Sequence, residues 1–162
     1  GDKAKKFQTF QFLNFLAANG KFISNLSPVC MRCLCHASSN CNLSQGCSQG
    51  YCGPFFFNRE YWEDAGRPTL SADDDPDRDQ AFADCARDFR CAERAVENYM
   101  SNGDCNGDEV TDCDDYALIH FNGHNDCNQA IEGTNFGRRY ATCRPRPVGK
   151  FNHYLCLSCI YL

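Results

Sequence analysis

The hydrophobic pattern at the start of the 162-residue chain predicts an α-helix. Apolar residues recur near helical spacing at Phe7, Phe10, Leu13 and Leu16. Gly20 lies where such a helix would end. We therefore expect a helix over about residues 5–19, inside an N-terminal extension that covers residues 1–29.

Two later segments also carry helical periodicity. Between residues 80 and 100 one apolar face is formed by Phe82, Cys85, Phe89, Ala92, Val96 and Met100. The string DEVTDCDDYALIHFNG predicts a shorter helix, in which Asp112 or Thr111 would cap the amino end and Gly123 would follow the last residue.

The remaining strings predict little helix. Gly53-Pro54 and the aromatic run in YCGPFFFNREYW predict a turn and a short strand. The basic string TNFGRRYATCRPRPVGK contains Gly and Pro and is expected to be irregular, whereas the final YLCLSCIYL is apolar and strand-like. No run of about 18 apolar residues occurs, so the sequence predicts no membrane span.

Charge is segregated along the chain. Residues 1–59 carry a net charge of +5, residues 60–132 carry −15 and residues 133–162 carry +5. This pattern argues against nucleic-acid binding, which needs a continuous basic surface. It favours docking of the basic ends against the acidic middle, in the same molecule or in the next one. A solvated acidic surface explains the middle region equally well.

The cysteine content indicates an oxidising compartment. Fourteen cysteines, an even number, are rare in a reducing cytosol, so we predict an extracellular, secreted protein. Sequons at Asn25 and Asn42 fit a secreted glycoprotein. The predicted disulfide partners are Cys30, Cys33, Cys35, Cys41, Cys47, Cys52, Cys85, Cys91, Cys105, Cys113, Cys127, Cys143, Cys156 and Cys159.

The sequence also contains two candidate metal sites, one of which competes with the disulfide interpretation of the cysteines. Cys30, Cys33, Cys35 and His36 have the ligand types of a zinc site, but the secreted composition favours disulfides. A second set has the spacing of a calcium loop but lacks its glycine and has Asp in place of the final glutamate, so a solvated loop is favoured; it comprises Asp104, Asn106, Asp108, Asp112 and Asp115. We predict no metal and no cofactor.

The ordered strings of the middle region resemble invertebrate-type (i-type, destabilase-like) lysozymes. They are CMRCLCHASSNC, YCGPFFFNREYWEDAGRP, CAERAVENYM and DYALIHFNGHNDC, and together they cover about residues 30–130. The resemblance implies a lysozyme-like α+β fold with mostly short helices, a small β-hairpin and many disulfides. It implies a domain over residues 30–132, followed by a basic and apolar C-terminal extension over residues 133–162.

Two cysteines common in that family are absent. Ala65 and Ala95 occupy their positions, and the joint loss suggests that the two cysteines are partners in relatives. Cys143, Cys156 and Cys159 restore the even total. One of these three would replace a late family cysteine, and the other two would hold the C-terminal extension.

The resemblance also implies the loss of catalytic carboxylates. Glycosidases use a carboxylic acid to protonate the leaving oxygen and a second carboxylate as nucleophile or electrostatic stabiliser. Ser38 occupies the family's acid position, and the segment between Cys47 and Cys52, where relatives have the second carboxylate, is only SQGY. No Asp or Glu occurs from Lys3 to Arg59. We therefore predict no enzyme activity and no catalytic residue.

Some relatives are credited with isopeptidase activity that uses a serine with a lysine or a histidine. Ser38, Ser39, His36 and His120 are the local candidates, but the family's lysine is Asn58 here. We assign His120 to a structural or groove-lining role. The predicted groove residues are Ser38, His120, Tyr61 and Trp62, although core packing of the aromatic residues is the favoured alternative.

Three functions remain open at this stage. The first is a secreted, non-catalytic structural or binding module that self-assembles through its ends as a homo-oligomer or larger extracellular assembly. The second is a protein that binds a polysaccharide such as peptidoglycan or a chitin-like polymer. The third is an active muramidase or isopeptidase.

Overall fold

The structure is a computed structural model that describes residues 26–100 and 104–146. The predictions for the N-terminal helix, the strand-like C-terminus, Asn25, Cys156 and Cys159 lie outside these residues. The described part contains six α-helices and a three-stranded sheet: α1 Pro28–Ser39, β1 Cys47–Ser48, β2 Tyr51–Cys52, β3 Phe57–Asn58, α2 Arg59–Asp64, α3 Ala81–Arg87, α4 Phe89–Tyr99, α5 Cys113–Asn122 and α6 Asn135–Cys143. The α+β, disulfide-rich prediction is confirmed. No described helix is both long and apolar enough to cross a membrane.

Helix α1 is the structural centre of the disulfide web. Ser27 caps its amino end by accepting a hydrogen bond from the Cys30 amide, and Pro28 occupies the first turn, where its missing N–H costs nothing. The helix ends at Asn40, whose left-handed backbone (φ 57°) lets its amide bond the last carbonyls. Its three cysteines form three different bridges: Cys30–Cys113, Cys33–Cys143 and Cys35–Cys41.

The sheet is an antiparallel meander in the order β1, β2, β3. Strands β1 and β2 are joined by Gln49 (φ 52°) and Gly50 (φ 85°), a two-residue turn of the type that tight hairpins favour. A bridge between Cys47 and Cys52 links the paired residues. Gly53 must lack a side chain, since a Cβ there would lie 1.6 Å from the Ala86 carbonyl oxygen of α3. The sheet is thereby held against α3.

The region from residue 81 to residue 99 is two helices rather than one. The chain is extended at Asp88 (φ −86°, ψ 121°), which ends α3 and caps α4 by accepting a hydrogen bond from the Cys91 amide. The Cys85–Cys91 bridge spans the break. The periodic face predicted over this stretch is nevertheless buried at Phe82, Cys85 and Ala92.

Helix α5 confirms its prediction, whereas α6 corrects one. Asp112 caps α5 in a reciprocal capping box with Asp115, and Gly123 follows its last residue. The segment expected to be irregular instead contains α6, which Thr134 caps by accepting a hydrogen bond from the Gly137 amide. This helix packs against α1 and is linked to it by a disulfide. The folded domain therefore extends past residue 132.

The core lies between these helices and the sheet. Its largest fully buried side chains are Trp62, Tyr116, Phe55, Leu34, Met100, Ile119 and Val96. Asp115 is the buried charged residue of the described chain, and its carboxylate accepts hydrogen bonds from the backbone amides of Cys105, Asn106 and Asp112. These bonds replace the water that the buried carboxylate has lost. Ala65 and Ala95 are both buried as well.

Candidate functional site

A cleft of about 770 Å³ lies between the sheet, α2, the carboxyl end of α5 and the amino end of α6. This volume suits a small ligand or several units of a polymer. Its lining is mixed, with aromatic rings, amides, hydroxyls and three carboxylates. We call the hydrogen-bonded group formed by the buried Tyr61 and the partly buried Ser38 and His120 the floor. The exposed lining residues Tyr51, Glu60, Asp64, Phe121 and Asp126 form the rim.

The floor is a continuous chain of hydrogen bonds. The Ser38 hydroxyl lies 2.8 Å from the Leu34 carbonyl oxygen and 3.1 Å from His120 Nε2. His120 Nε2 is also 2.9 Å from the Phe55 carbonyl oxygen, and Nδ1 is 3.0 Å from the Tyr61 hydroxyl. These contacts bring together three of the four residues that the sequence predicts in the groove.

The partners of His120 determine its tautomer. A carbonyl oxygen only accepts hydrogen bonds, so Nε2 must carry the proton that it donates to Phe55. Nδ1 is then the acceptor for the Tyr61 hydroxyl, and the Ser38 hydroxyl donates to Leu34 while accepting from Nε2–H. A general base for serine would need a bare nitrogen facing the hydroxyl. His120 presents a protonated nitrogen there instead.

Burial sets the protonation of the floor. It lowers the pKa of His120 to about 4, although the bond to the Phe55 carbonyl opposes this change. The imidazole is therefore neutral at neutral pH. Burial raises the pKa of Tyr61 well above its ordinary value, and the neighbouring Tyr99 adds to the rise. Tyr61 therefore also stays neutral.

Arg139 connects the floor to α6. Its Nε lies 2.7 Å from the Ala37 carbonyl oxygen and its Nη2 lies 3.1 Å from that of Ser38. Both carbonyls belong to the last turn of α1, where backbone oxygens have no partner within the helix. The only cation among the Lys and Arg residues of the described lining is thus already engaged.

Aromatic rings line much of the cleft. Tyr61 stacks on Tyr99 with 3.6 Å between ring centroids, and Tyr51 stacks on Phe56 at 5.5 Å. Tyr51 and Phe121 remain 43% and 45% exposed, which is unusual for large rings beside a cavity. Exposed rings offer flat apolar faces on which the C–H face of a sugar can pack.

The carboxylates lie at the rim. Glu60 and Asp64 are one turn apart on the same side of α2, and both are exposed. Burial raises the pKa of the nearby Tyr99, and the charges of Asp64 and Glu60 contribute to that rise. Asp126 lines the cleft from the loop after α5. None of the three forms a salt bridge within residues 26–100 and 104–146.

Three predicted candidates lie away from the cleft. Trp62 is fully buried instead of lining the groove, because its indole N–H donates to the Pro68 carbonyl at 2.8 Å and its ring packs near Phe82. Ser39 donates to the Pro54 carbonyl, and His36 contacts the Thr142 hydroxyl on α6. Of the four isopeptidase candidates, Ser38 and His120 therefore lie together in the floor, whereas Ser39 and His36 lie apart from them.

The proposed metal ligands have other partners. Cys30, Cys33 and Cys35 belong to three separate disulfides, so they supply no thiolates for zinc. In the candidate calcium loop, the Asp104 carboxylate accepts bonds from the amides of residues 107–109, and Asp108 accepts from the Val110 amide. No cluster of three metal-ligating side chains occurs in the part of the chain that the structure describes.

Twelve of the fourteen cysteines are paired in the structure. Besides the bridges already given, Cys105 pairs with Cys127. Cys143, one of the three late cysteines, bonds Cys33 across a separation of 110 residues. Asn42, the sequon residue inside the described region, is exposed, and its side-chain oxygen accepts from the Ser44 amide.

These features define a small, disulfide-linked α+β domain with a groove of a size suited to polysaccharides. Residues 27–143 match the Destabilase family model, and the chain belongs to this family of invertebrate-type lysozymes. It is similar to a lysozyme of Magallana gigas, with 32% identity over 64% of this chain and 71% of the relative. Invertebrate-type lysozyme 2 of Caenorhabditis elegans is 29% identical over 65% of this chain and 78% of the relative.

Solved structures agree with the fold. The structure of Meretrix lusoria lysozyme in complex with Aeromonas hydrophila PliI matches with a TM-score of 0.55 and 26% identity, over 76% of this chain and 98% of that chain. Tapes japonica lysozyme matches with a TM-score of 0.54 and 22% identity, over 80% of this chain and 98% of that chain. The second likeness concerns the fold alone.

Proposed function

We propose that this protein is a secreted member of the invertebrate-type lysozyme family that binds a glycan in its cleft without hydrolysing it. The observation that carries the proposal is the floor at Ser38, where the family resemblance leads one to expect a carboxylic acid and a hydrogen-bonded serine stands instead. A serine hydroxyl neither protonates a leaving oxygen at neutral pH nor carries the negative charge that the reaction requires.

The rim carboxylates supply the strongest alternative, an active hydrolase. Glu60 and Asp64 both line the cleft. The proton donor of a glycosidase is kept protonated at neutral pH by an apolar, buried environment. Both residues are exposed, which argues against that role and favours ligand binding at the rim.

The floor argues against serine chemistry in the same way. Ser38 and His120 are close enough for a nucleophile and its base. The one proton on Nε2 is shared between the Phe55 carbonyl and the serine hydroxyl, however, so this nitrogen cannot accept a proton, and the Ser38 hydroxyl already donates to Leu34. Removing the bond to the Phe55 carbonyl would cost the fold a buried partner.

Secretion is supported by the disulfides. Six bridges in the described chain need an oxidising environment to form and persist. The exposed sequon at Asn42 is accessible to a glycan in the folded protein. Self-assembly through the extensions stays a prediction, because residues 1–25 and 147–162 lie outside the described residues.

The test combines cell-wall lysis with glycan retention. We expect the unmodified protein to leave bacterial cell-wall turbidity unchanged while being retained on chitin-like polymers. Glu60→Gln/Asp64→Asn tests the rim, and Glu63→Gln, on the same helix but outside the lining, is its matched control. Lysis by the unmodified protein that the double variant abolishes would establish a hydrolase and overturn the proposal.

A Ser38→Glu variant provides a further comparison. With no second carboxylate between Cys47 and Cys52, we expect it to remain inactive.

Concentration-dependent light scattering of the unmodified protein without any glycan retention would favour the structural role instead and would also contradict the proposal.

A further inference from the structure

We propose that the cleft selects glycans with free ammonium groups, such as glucosamine-rich polymers, over fully N-acetylated or anionic ones. This inference rests on the proposed glycan-binding function and specifies the ligand class of the same cleft. It is carried by the charges and aromatic faces of the lining taken together.

The lining offers negative charge that has no protein partner. Glu60, Asp64 and Asp126 form no salt bridge in the described part of the chain. Arg139 directs its guanidinium to the carbonyls of the last turn of α1. The imidazole of His120 is neutral at neutral pH because burial lowers its pKa to about 4. The cleft therefore presents net negative charge to a ligand.

The position of the charges matters as much as their number. Glu60 and Asp64 lie one helical turn apart beside Tyr99, which stacks on Tyr61 at the edge of the floor. The exposed rings in the lining are Tyr51 and Phe121, so a ligand meets aromatic faces and these two carboxylates within one cleft. A glucosamine unit matches both, because it has an apolar C–H face and an ammonium group on one rigid ring.

Other ligand classes match only part of this arrangement. A glycan with carboxylate groups would be repelled by the rim, since like charges across an interface are unfavourable. An N-acetylated glycan can pack on the rings and can donate neutral hydrogen bonds, but it offers the carboxylates no cationic partner. A basic peptide satisfies the carboxylates, but its flexible lysine side chains have no flat apolar face for Tyr51 and Phe121.

The test uses three probes of equal length: a glucosamine hexamer, an N-acetylglucosamine hexamer and hexalysine. Titration calorimetry of the full chain at low salt measures each dissociation constant. We expect the glucosamine hexamer to bind about tenfold more tightly than the N-acetylated one, because two or three exposed ion pairs each add a modest contribution. Raising the salt concentration should reduce this preference through screening.

Two variants test whether Glu60 and Asp64 cause the preference for the glucosamine hexamer. Glu60→Gln/Asp64→Asn should reduce the ratio between the two sugars to about twofold or less, whereas Glu63→Gln should keep it. Equal or tighter binding of the N-acetylated hexamer by the unmodified protein would overturn the inference but leave glycan binding intact. Binding of hexalysine as tight as that of the glucosamine hexamer would also overturn it. If neither sugar binds, the proposed function itself is wrong.

Discussion

The floor and the rim of the cleft differ in how far their polar atoms are already engaged. Ser38, Tyr61 and His120 satisfy one another and two backbone carbonyls. Glu60 and Asp64 are exposed and form no salt bridge among the described residues. Polar groups that are already paired gain little from a ligand, whereas unpaired ones gain a partner. The floor is therefore scaffold, and we assign the proposed ligand recognition to the rim.

The largest expected effect on stability comes from removing the disulfide that links α1, which carries Ser38 of the floor, to α6. Removing the Cys33–Cys143 bridge with Cys33→Ala/Cys143→Ala should lower the free energy of unfolding by about 3.5–4 kcal/mol. With the Cys30–Cys113 bridge intact, this bridge closes a loop of about 30 residues in the unfolded chain. Urea unfolding under non-reducing conditions measures the loss. Cys47→Ala/Cys52→Ala is the control, since its loop is short and its expected loss is about 2 kcal/mol. Equal losses would contradict this account.

A second prediction concerns an engineered disulfide that should stabilise the core away from the cleft. Ala65 and Ala95 are buried, and the family resemblance suggests that they replace a cysteine pair. Ala65→Cys/Ala95→Cys should therefore form a disulfide and raise the free energy of unfolding by about 3 kcal/mol. Thiol titration and urea unfolding measure both effects, with Ala65→Cys alone as the control. Two free thiols in the oxidised double variant would show that the residues are not partners.

The floor should also respond to acid. The pKa of His120 is about 4 in the fold and about 6.5 in an unfolded chain. Below pH 6.5 the unfolded state binds a proton that the folded state refuses, so stability decreases as the pH falls. Between pH 6.5 and 4 the loss should approach about 3 kcal/mol.

Unfolding of the unmodified protein and of His120→Gln across this pH range isolates the effect. Other groups titrate in both proteins, so the informative quantity is the difference between the two curves. His120→Gln should lack the part of the slope that the imidazole supplies. Identical slopes would mean that His120 is not held neutral by the fold.

The smallest expected effect on stability lies at the rim. Tyr51→Ala should weaken binding of a glycan hexamer about tenfold, because an exposed ring that packs on a sugar is lost. The free energy of unfolding should change by no more than about 0.5 kcal/mol. Val110→Ala is the control, since Val110 is 53% exposed and does not line the cleft. A large stability loss in Tyr51→Ala would place that ring in the scaffold.

Local signals explain which helices were predictable. Helix α5 is capped by Asp112 and followed by Gly123, both of which lie in the sequence beside it. The break at Asp88 was missed because the apolar period continues across it. Helix α6 was missed because Gly137 and the basic residues conceal it, and because its support comes from α1 and from Cys33, more than 100 residues earlier.

The residues of the site also differ in whether the sequence could predict them. The resemblance led to Ser38, Tyr61 and His120, which the fold brings into one hydrogen-bonded group. Trp62 was a groove candidate for which core packing was the favoured alternative, and its position on α2 does turn it into the core. The rim carboxylates were missed, since nothing local distinguishes Glu60 and Asp64 from the many other acids of the middle region. Only the orientation of α2 against the sheet selects them.

The Gln49–Gly50 turn, on the sheet side of the cleft, should tolerate insertions better than deletions. Two residues with positive φ form the shortest connection between antiparallel strands, so deleting one would break the pairing of Cys47 with Cys52. Insertions at the same tip cost little, because loop-closure entropy grows slowly with length. Variation in ligand range among descendants of this protein should therefore arise by lengthening this tip, and a reversion toward a carboxylate-bearing hairpin would require added residues as well as a substitution.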